Sequence, residues 1–455
     1  MIDDPTFHLV LISANQWKKP YPVYPLGVSY LASYLREKLP WLKVTLLDVN
    51  QPQFEINTIN DIQPDLIGLS LRNIDDVDSI NQQCFVDGYT KLIRQIKASS
   101  TTPIILGGAG FSIYPKQLLE KFEIDFGIAG EGELALTRFL QAMSAGETID
   151  GIPGVIYRHK PQEAEPAKIQ YISQPKLSFE QNLLPFYWNA SGMLNIQTKR
   201  GCPYSCIYCT YPLIDGKKVR TLQPDQIVDT LQQAYTEHNI DYVFFTDSVF
   251  NIDPNYNSEL AEALIKAALP IKWGAYFSPF NLTREQLQHY QAAGLSHIEF
   301  GTESLANSTL EAYGKPFNVE HVYAVSESCY RLKINYAHFL IIGGVGETQG
   351  SLNETVRNST RLKNTVFFSF FGMRIYPGTK LQKIAIKENK IAANDSLIRP
   401  KYYLNESLDY AAFRQSVKNS GQAWVMPDDT TNHDIETELR KRGRRGPLWE
   451  YLIQK

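Results

Sequence analysis

The chain predicts an α/β protein built in two successive parts, and three observations carry that expectation. The first 150 residues alternate short apolar runs with helical patterns, the sign of a parallel sheet covered by helices. The same alternation resumes near residue 193 and runs for six strand–helix units. In the first part several strand-like runs end in polar or glycine-rich turns, which an open doubly wound sheet gathers on its carboxyl edge, where ligands bind. A length of 455 residues suits two domains and a small third. The expected division is 1–150 for the doubly wound sheet, 151–192 for a linker, 193–400 for the second α/β domain and 401–455 for a C-terminal extension.

In the first part strands are expected at Leu9–Ser13, Val44–Asp48, Leu66–Leu71, Ile104–Leu106 and Phe126–Ala129, with helices at Leu26–Lys38, Gln82–Ala98 and Glu133–Met143. The strand-end turns are Ser13–Asn15, Ser70–Asn73, Gly107–Gly110 and Gly130–Glu133. Glycine at such a turn allows close approach of a ligand, and equally allows a tight connection. The linker holds a short hairpin, Val155–Tyr157 and Ile169–Ile172, around a charged turn containing Pro161 and Pro166. In the second part strands are expected at Met193–Thr198, Tyr242–Thr246, Lys272–Phe277, His297–Gly301, Tyr336–Ile342 and Phe367–Ile375. Helices include Pro224–Glu237, Ser258–Ala268, Arg284–Ala293 and Val319–Leu332. The tail past Tyr403 is polar, and five basic residues in Leu439–Trp449 suit a solvated face or contact with an anion.

Composition narrows the function. A formal net charge of −3 gives no sign of nucleic-acid or membrane affinity, and no run of about 18 apolar residues predicts a membrane span. The N-terminus lacks the basic start of a signal peptide, so the cytoplasm is the expected location. Five cysteines, three of them clustered, exclude a disulfide framework and suit a reducing compartment.

The cluster is Gly201-Cys202-Pro203-Tyr204-Ser205-Cys206-Ile207-Tyr208-Cys209, a C-x3-C-x2-C spacing with an aromatic before the last cysteine. A zinc site wants four ligands, and the nearest downstream histidine is His238. Three thiolates on one loop suit an iron–sulfur cubane with one iron left open. Cys84 and Cys329 sit in helical patterns and are expected to be buried thiols.

This motif resembles the signature of the radical S-adenosylmethionine (SAM) enzymes, and the residues upstream resemble the cobalamin-binding domain of one subgroup. The resemblance implies a Rossmann-like cobalamin domain, then a partial (β/α)6 barrel of TIM type whose cysteine loop follows the first strand. It implies three cofactors: a 4Fe-4S cluster on Cys202, Cys206 and Cys209, SAM at the open iron, and cobalamin. An external electron donor such as flavodoxin or ferredoxin, and a small-molecule substrate, are expected as partners.

The same resemblance assigns the site residues. Ser70, Leu71, Arg72 and Asn73 match the turn facing the corrin's lower side, with Arg72 nearest cobalt unless it pairs with Asp75 or Asp76. No D-x-H-x-x-G motif occurs, and no histidine lies between His8 and His159, so cobalt is expected to lack a protein imidazole. Gly107, Gly108, Ala109, Gly110, Gly130 and Glu131 are candidates for the nucleotide tail. Around SAM, Tyr208 flanks the cluster and Asp247 and Ser248 lie near the amino nitrogen. Glu303 meets ribose hydroxyls or the amino group beside Ser304, and Arg374 meets the carboxylate. His297 and His338 are expected in the core or the cavity wall. Tyr276, Phe277, Phe280 and Phe371 suit an apolar or ring-bearing substrate.

The expected activity is methylation of an unactivated carbon in a lipid or natural-product pathway. The alternative is cyclisation, ring contraction or rearrangement without net methyl transfer. A methylthiotransferase would need a second cysteine set, and only Cys84 precedes the triad.

Overall fold

The structure is a computed structural model that describes residues 7–160, 172, 174–429 and 438–453. The chain forms two compact units. One takes residues up to Asp76, Gln83–Tyr187 and Leu213–Asp215; the other takes Val77–Gln82, Trp188–Pro212 and everything from Gly216.

The first unit is a six-stranded sheet of β1 (Phe7–Ser13), β2 (Leu42–Asp48), β3 (Leu66–Ser70), β4 (Ile104–Gly107), β5 (Phe126–Ile128) and β6 (Val155–Tyr157), in the order β2-β1-β3-β4-β5-β6. The first five strands are parallel, and β6 runs antiparallel to β5 at the edge. Nearly every residue of β1 and β3 is buried, as expected of strands covered on both faces. The helices Leu26–Lys38, Val86–Ser99, Pro115–Phe122 and Glu133–Ala145 supply the cover. The strand order reverses between β1 and β3, so their two carboxyl-end turns flank the crevice where a doubly wound sheet takes its ligand.

The expected linker hairpin is corrected. Val155–Tyr157 is a strand of the first sheet, because its backbone completes the exposed edge of β5; the part of the hairpin at 161–171 lies outside the described residues. Residues 174–187 also belong to the first unit. Tyr24 makes edge contacts with Phe179 and Tyr187, the Glu180 amide donates to the Tyr24 hydroxyl at 2.9 Å, and the Tyr187 hydroxyl donates to Asp48.

The second unit holds β7 (Leu194–Ile196) and a small ribbon of β8 (Lys199–Arg200) with β9 (Arg220–Thr221). Then follow β10 (Tyr242–Phe245), β11 (Lys272–Phe277), β12 (Leu295–Glu303), β13 (Asn335–Ile342), β14 (Thr365–Phe371), β15 (Met373–Arg374), β16 (Tyr402–Tyr403) and β17 (Ala423–Val425). Seven of these make one all-parallel sheet in the order β7-β10-β11-β12-β13-β14-β17, each strand beside its predecessor, which is the winding of a partial barrel. The barrel has one more strand than expected. β17 comes from the C-terminal extension and is followed by the 3₁₀ segment Leu448–Leu452, whose Trp449 packs with Ala337 and Val366 on the sheet's inner face. The tail is therefore not a solvated appendage. Even its basic run is partly structural, with Arg440 donating to the Arg444 and Gly446 carbonyls and Arg445 stacked over Trp188.

Candidate functional site

The cysteine loop leaves the carboxyl end of β7 and is fixed at both ends. At its start, Asp247 is fully buried and accepts from the Thr198 amide at 2.7 Å, the Thr198 hydroxyl, the Lys199 amide at 3.1 Å and the Lys199 ammonium at 2.8 Å. Burial pulls the Lys199 pKa below its ordinary value while Asp247 works against the shift, and the ammonium also lies 4.3 Å from the Phe250 ring centroid. Such a pair contributes little net stability, but removing one partner strands a buried charge at a cost of about 3–5 kcal/mol. Gly201 sits at φ +92° with Lys218 packed where a Cβ would be, so only glycine serves the turn into Cys202. Ser248 donates to the Gly201 carbonyl at 3.1 Å. Further along, the Ile207 amide donates to Tyr313 and the Cys209 amide to Cys206.

Cys202 is buried and Cys206 and Cys209 partly so. Burial raises the Cys202 thiol and pushes Cys209 to about 12, and the neighbouring cysteines add to both shifts. Cys202 and Cys209, held neutral by burial when no metal is near, would ionise readily beside a cation. No three metal-ligating side chains among the described residues converge on a single ion. Three thiolates on one loop suit a group with several irons, in which each thiolate meets its own metal.

Opposite the loop, a bulge between Gly301 and Glu303 interrupts the β12 ladder and Glu303 takes φ +66°. The Tyr208 hydroxyl donates to Glu303 Oε1 at 2.7 Å, and Lys315 Nζ lies 3.4 Å from the same oxygen. Burial works against the Lys315 ammonium, but Glu303 and the charges of Cys206 and Cys209 outweigh it and hold its pKa above the ordinary value. Lys315 is the site residue that sequence reasoning missed. It stands alone between Gly314 and Pro316, and no motif marks it.

Three residues expected to contact SAM have protein partners in the structure. Asp247 spends its oxygens on the base of the loop. Ser304 is buried with its hydroxyl 3.1 Å from Thr355 and accepting from the Ala306 amide. Arg374 is buried and donates to the carbonyls of Ile375 and Leu397, the latter at 2.8 Å, which braces the chain beyond β15. Of the four mouth aromatics, Phe277 and Phe371 are core and Phe280 packs against it; Tyr276 is 43% exposed. His297 and His338 are fully buried, and burial depresses both to about 3, which keeps them neutral. Cys84 lies in a bridge with Asp75 ahead of its helix, whereas Cys329 is buried within one.

In the first unit the Ser70–Asn73 turn lies at the switch point, and the Tyr89 hydroxyl donates to the Asn73 carbonyl at 2.6 Å. Arg72 is exposed and makes no hydrogen bond or ion pair among the described residues, so the alternative pairing with Asp75 or Asp76 is not formed. Gly108, at φ +95°, and Gly110 pack against the Leu71 backbone, where a Cβ would come within 2.7 and 3.0 Å of its carbonyl oxygen. Their smallness serves the meeting of two turns. Gly107 differs: a Cβ there would meet nothing closer than 3.9 Å, and its edge is open. Ala109 starts the short helix Ala109–Ile113, and the Gly130 amide donates to Ser112 beside Glu131.

Comparison with known proteins follows this division. Residues 18–140 match the model of the B12 binding domain, and 196–358 that of the radical SAM superfamily. An uncharacterised methyltransferase of Pyrococcus horikoshii is 25% identical over 94% of both chains. A tryptophan 2-C-methyltransferase of Streptomyces laurentii is 24% identical over 70% of this chain and 64% of its own. An anaerobic magnesium-protoporphyrin IX monomethyl ester cyclase of Rubrivivax gelatinosus is 23% identical over 73% and 61%. The fold matches the radical SAM methyltransferase TsrM of Kitasatospora setae, solved with cobalamin and a 4Fe-4S cluster, at a TM-score of 0.82 and 20% identity over 98% of this chain and 97% of that one. Carrying a B12-binding domain ahead of a radical SAM domain, the chain belongs to the cobalamin-dependent radical SAM enzymes.

Proposed function

We propose that the protein transfers a methyl group to a carbon of a small molecule, using a 4Fe-4S cluster, SAM and cobalamin. The observation that carries this is the three-thiol loop within electrostatic reach of the Glu303–Lys315 pair, in a chain whose other unit holds at its switch point an exposed Arg72 with no hydrogen bond or ion pair among the described residues. When bound, the cluster supplies the electron that cleaves SAM to a 5′-deoxyadenosyl radical, and cobalamin supplies the methyl group.

The chain's own residues hold, orient and shield. Cys202, Cys206 and Cys209 would ligate three irons, and the burial of Cys202 would keep water from its thiolate. Lys315 donates to the SAM carboxylate and Glu303 accepts from its amino group or ribose hydroxyls, with Tyr208 fixing the glutamate. Asp247 and Ser248 act through the loop they anchor. In the first unit, Ser70–Asn73 would border the corrin, with Arg72 supplying a cation that cannot ligate cobalt. The Gly107–Gly110 turn, Gly130 and Glu131 border the tail. Electrons come from an external donor of the flavodoxin or ferredoxin kind, in the cytoplasm. Among the described residues no helix is long and apolar enough to cross a membrane.

Methyl transfer is favoured over cyclisation because the methyltransferase likeness spans nearly the whole of both chains, while the cyclase likeness spans part of each. Anaerobically reconstituted protein supplied with SAM, methylcobalamin, a reductant and candidate small molecules should give a product heavier by one methylene, with 5′-deoxyadenosine, by mass analysis. Replacing Cys202, Cys206 and Cys209 by Ala should abolish the iron–sulfur absorbance and SAM cleavage together. A triple variant that still binds iron to the wild-type level overturns the assignment.

A further inference from the structure

The inner face of the barrel sheet keeps two large aromatic side chains exposed among the described residues. Alternate residues of a strand share a face, so His297, Glu299 and Gly301 of β12 line the inner side, beside Gly274 and Tyr276 of β11 and Ala337 and Phe339 of β13. Phe368 and Phe370 of β14 continue that face. Trp449, His297 and Val366 close its floor. Above the floor, Tyr276 is 43% and Phe370 38% exposed, an unusual state for large aromatics on the inside of a sheet. Gly301 lies between Glu299 and the Glu303 bulge, and a Cβ there would meet only Glu303 Oε1, at 3.5 Å.

The walls on either side of β12 are aromatic. Phe339 stacks on Phe368 with centroids 4.8 Å apart and planes 10° off parallel, and on Phe370 at 6.3 Å and 14°. On the other side Tyr276 meets Phe244 edge to face at 4.8 Å. Between them stands one carboxyl group. Glu299 is 7% exposed, and one of its oxygens accepts from Trp449 Nε1 at 3.0 Å. The other has no donor among the described residues and is not sealed off. Burial raises the Glu299 pKa to about 7. An oxygen that opens onto the inner face is free to accept from a ligand donor.

We infer that this inner face is the substrate chamber and takes a planar conjugated ring with an N–H donor at its edge, Glu299 being the acceptor that selects it. The exposed aromatic surface of Tyr276 and Phe370 suits a flat ring, the carboxyl group repels anions, and the Gly301 gap joins the chamber to Glu303 beside the cysteine loop. The proposed methyl transfer enters only in calling this ligand the substrate.

Calorimetric titration of the full-length, cluster-reconstituted protein with indole, 1-methylindole and benzofuran tests the chamber without turnover. Wild type should bind indole at least about tenfold more tightly than either analogue, a difference of about 1.4 kcal/mol. Glu299→Gln keeps the Trp449 bond through its amide oxygen and turns its NH2 toward the chamber, so the preference should reverse toward benzofuran. Tyr276→Ala should weaken all three probes alike. Equal affinity of wild type for indole and 1-methylindole, or no indole binding at all, overturns the inference and needs no variant to fold. Indole selectivity in a chain that methylates nothing would refute methyl transfer and leave the chamber standing; methyl transfer without ring selectivity would do the reverse.

Discussion

At the carboxyl end of β10 a buried carboxylate, Asp247, takes four donors from two residues of the turn that follows β7. At the carboxyl end of β3 a cation, Arg72, is exposed and makes no hydrogen bond or ion pair among the described residues. Both stand at the strand ends where an α/β protein binds its ligands. Asp247 is spent on making the backbone rigid, and Arg72 is kept for something the chain does not supply. Charge at a strand end is thus a sign of a site, but only the partner shows whether the charge builds the site or serves it.

Removing each charge should separate the two uses. Asp247→Ala leaves Lys199 buried and unpaired and should lower unfolding stability by about 3–5 kcal/mol in denaturant titration, with loss of iron on reconstitution. Adding Lys199→Met should recover much of the stability. A single variant within 1 kcal/mol of wild type would show that the pair is not the brace described.

Glu347 stands between the extremes. One oxygen accepts from the Gly343 amide, the other is buried without a donor among the described residues, and burial raises its pKa from 4.5 to about 7. Below 4.5 both folded and unfolded states are protonated and the group costs nothing. As pH rises to about 7 the unfolded state ionises first, so stability falls through that window and is level above it. Glu347→Gln should therefore be more stable than wild type at pH 8 than at pH 5 by up to about 3 kcal/mol, on the scale of 1.4 kcal/mol per pKa unit. A difference that does not change with pH refutes the shift.

Arg72→Met should give the smallest effect on the fold, within about 0.5 kcal/mol, because nothing in the chain loses a partner. Its consequence should be spectroscopic. Wild-type protein loaded with cob(II)alamin should show no imidazole nitrogen coupling by electron paramagnetic resonance, and Arg72→His should introduce it. A large loss of stability in Arg72→Met would erase the contrast with Asp247.

Most of the architecture was legible in the sequence because long apolar strands and amphipathic helices announce their period, as at Lys272–Phe277 and Val319–Leu332, where expected and observed bounds coincide. The short elements were not. Ala423–Val425 is three residues in a polar stretch, and only the open edge of β14 makes it a strand. The cysteines were legible by spacing. The roles of Asp247, Ser304 and Arg374 were not, since whether a polar side chain meets a ligand or a backbone depends on a turn tens of residues away. Lys315 was invisible for the converse reason: its environment comes from Glu303 and the cysteine loop, not from its neighbours in sequence.

The Trp449–Glu299 bond spans 150 residues and joins the fourth barrel strand to a segment that leaves the ribosome after every strand of the sheet. During synthesis the barrel floor is therefore open, and Glu299 has no indole to meet, until that late segment emerges. Closure of so distant a contact delays completion of the barrel. A nascent chain stalled before Trp449 should hold its strands yet present a wet, unsealed interior, a state in which holdase chaperones and proteases compete for it.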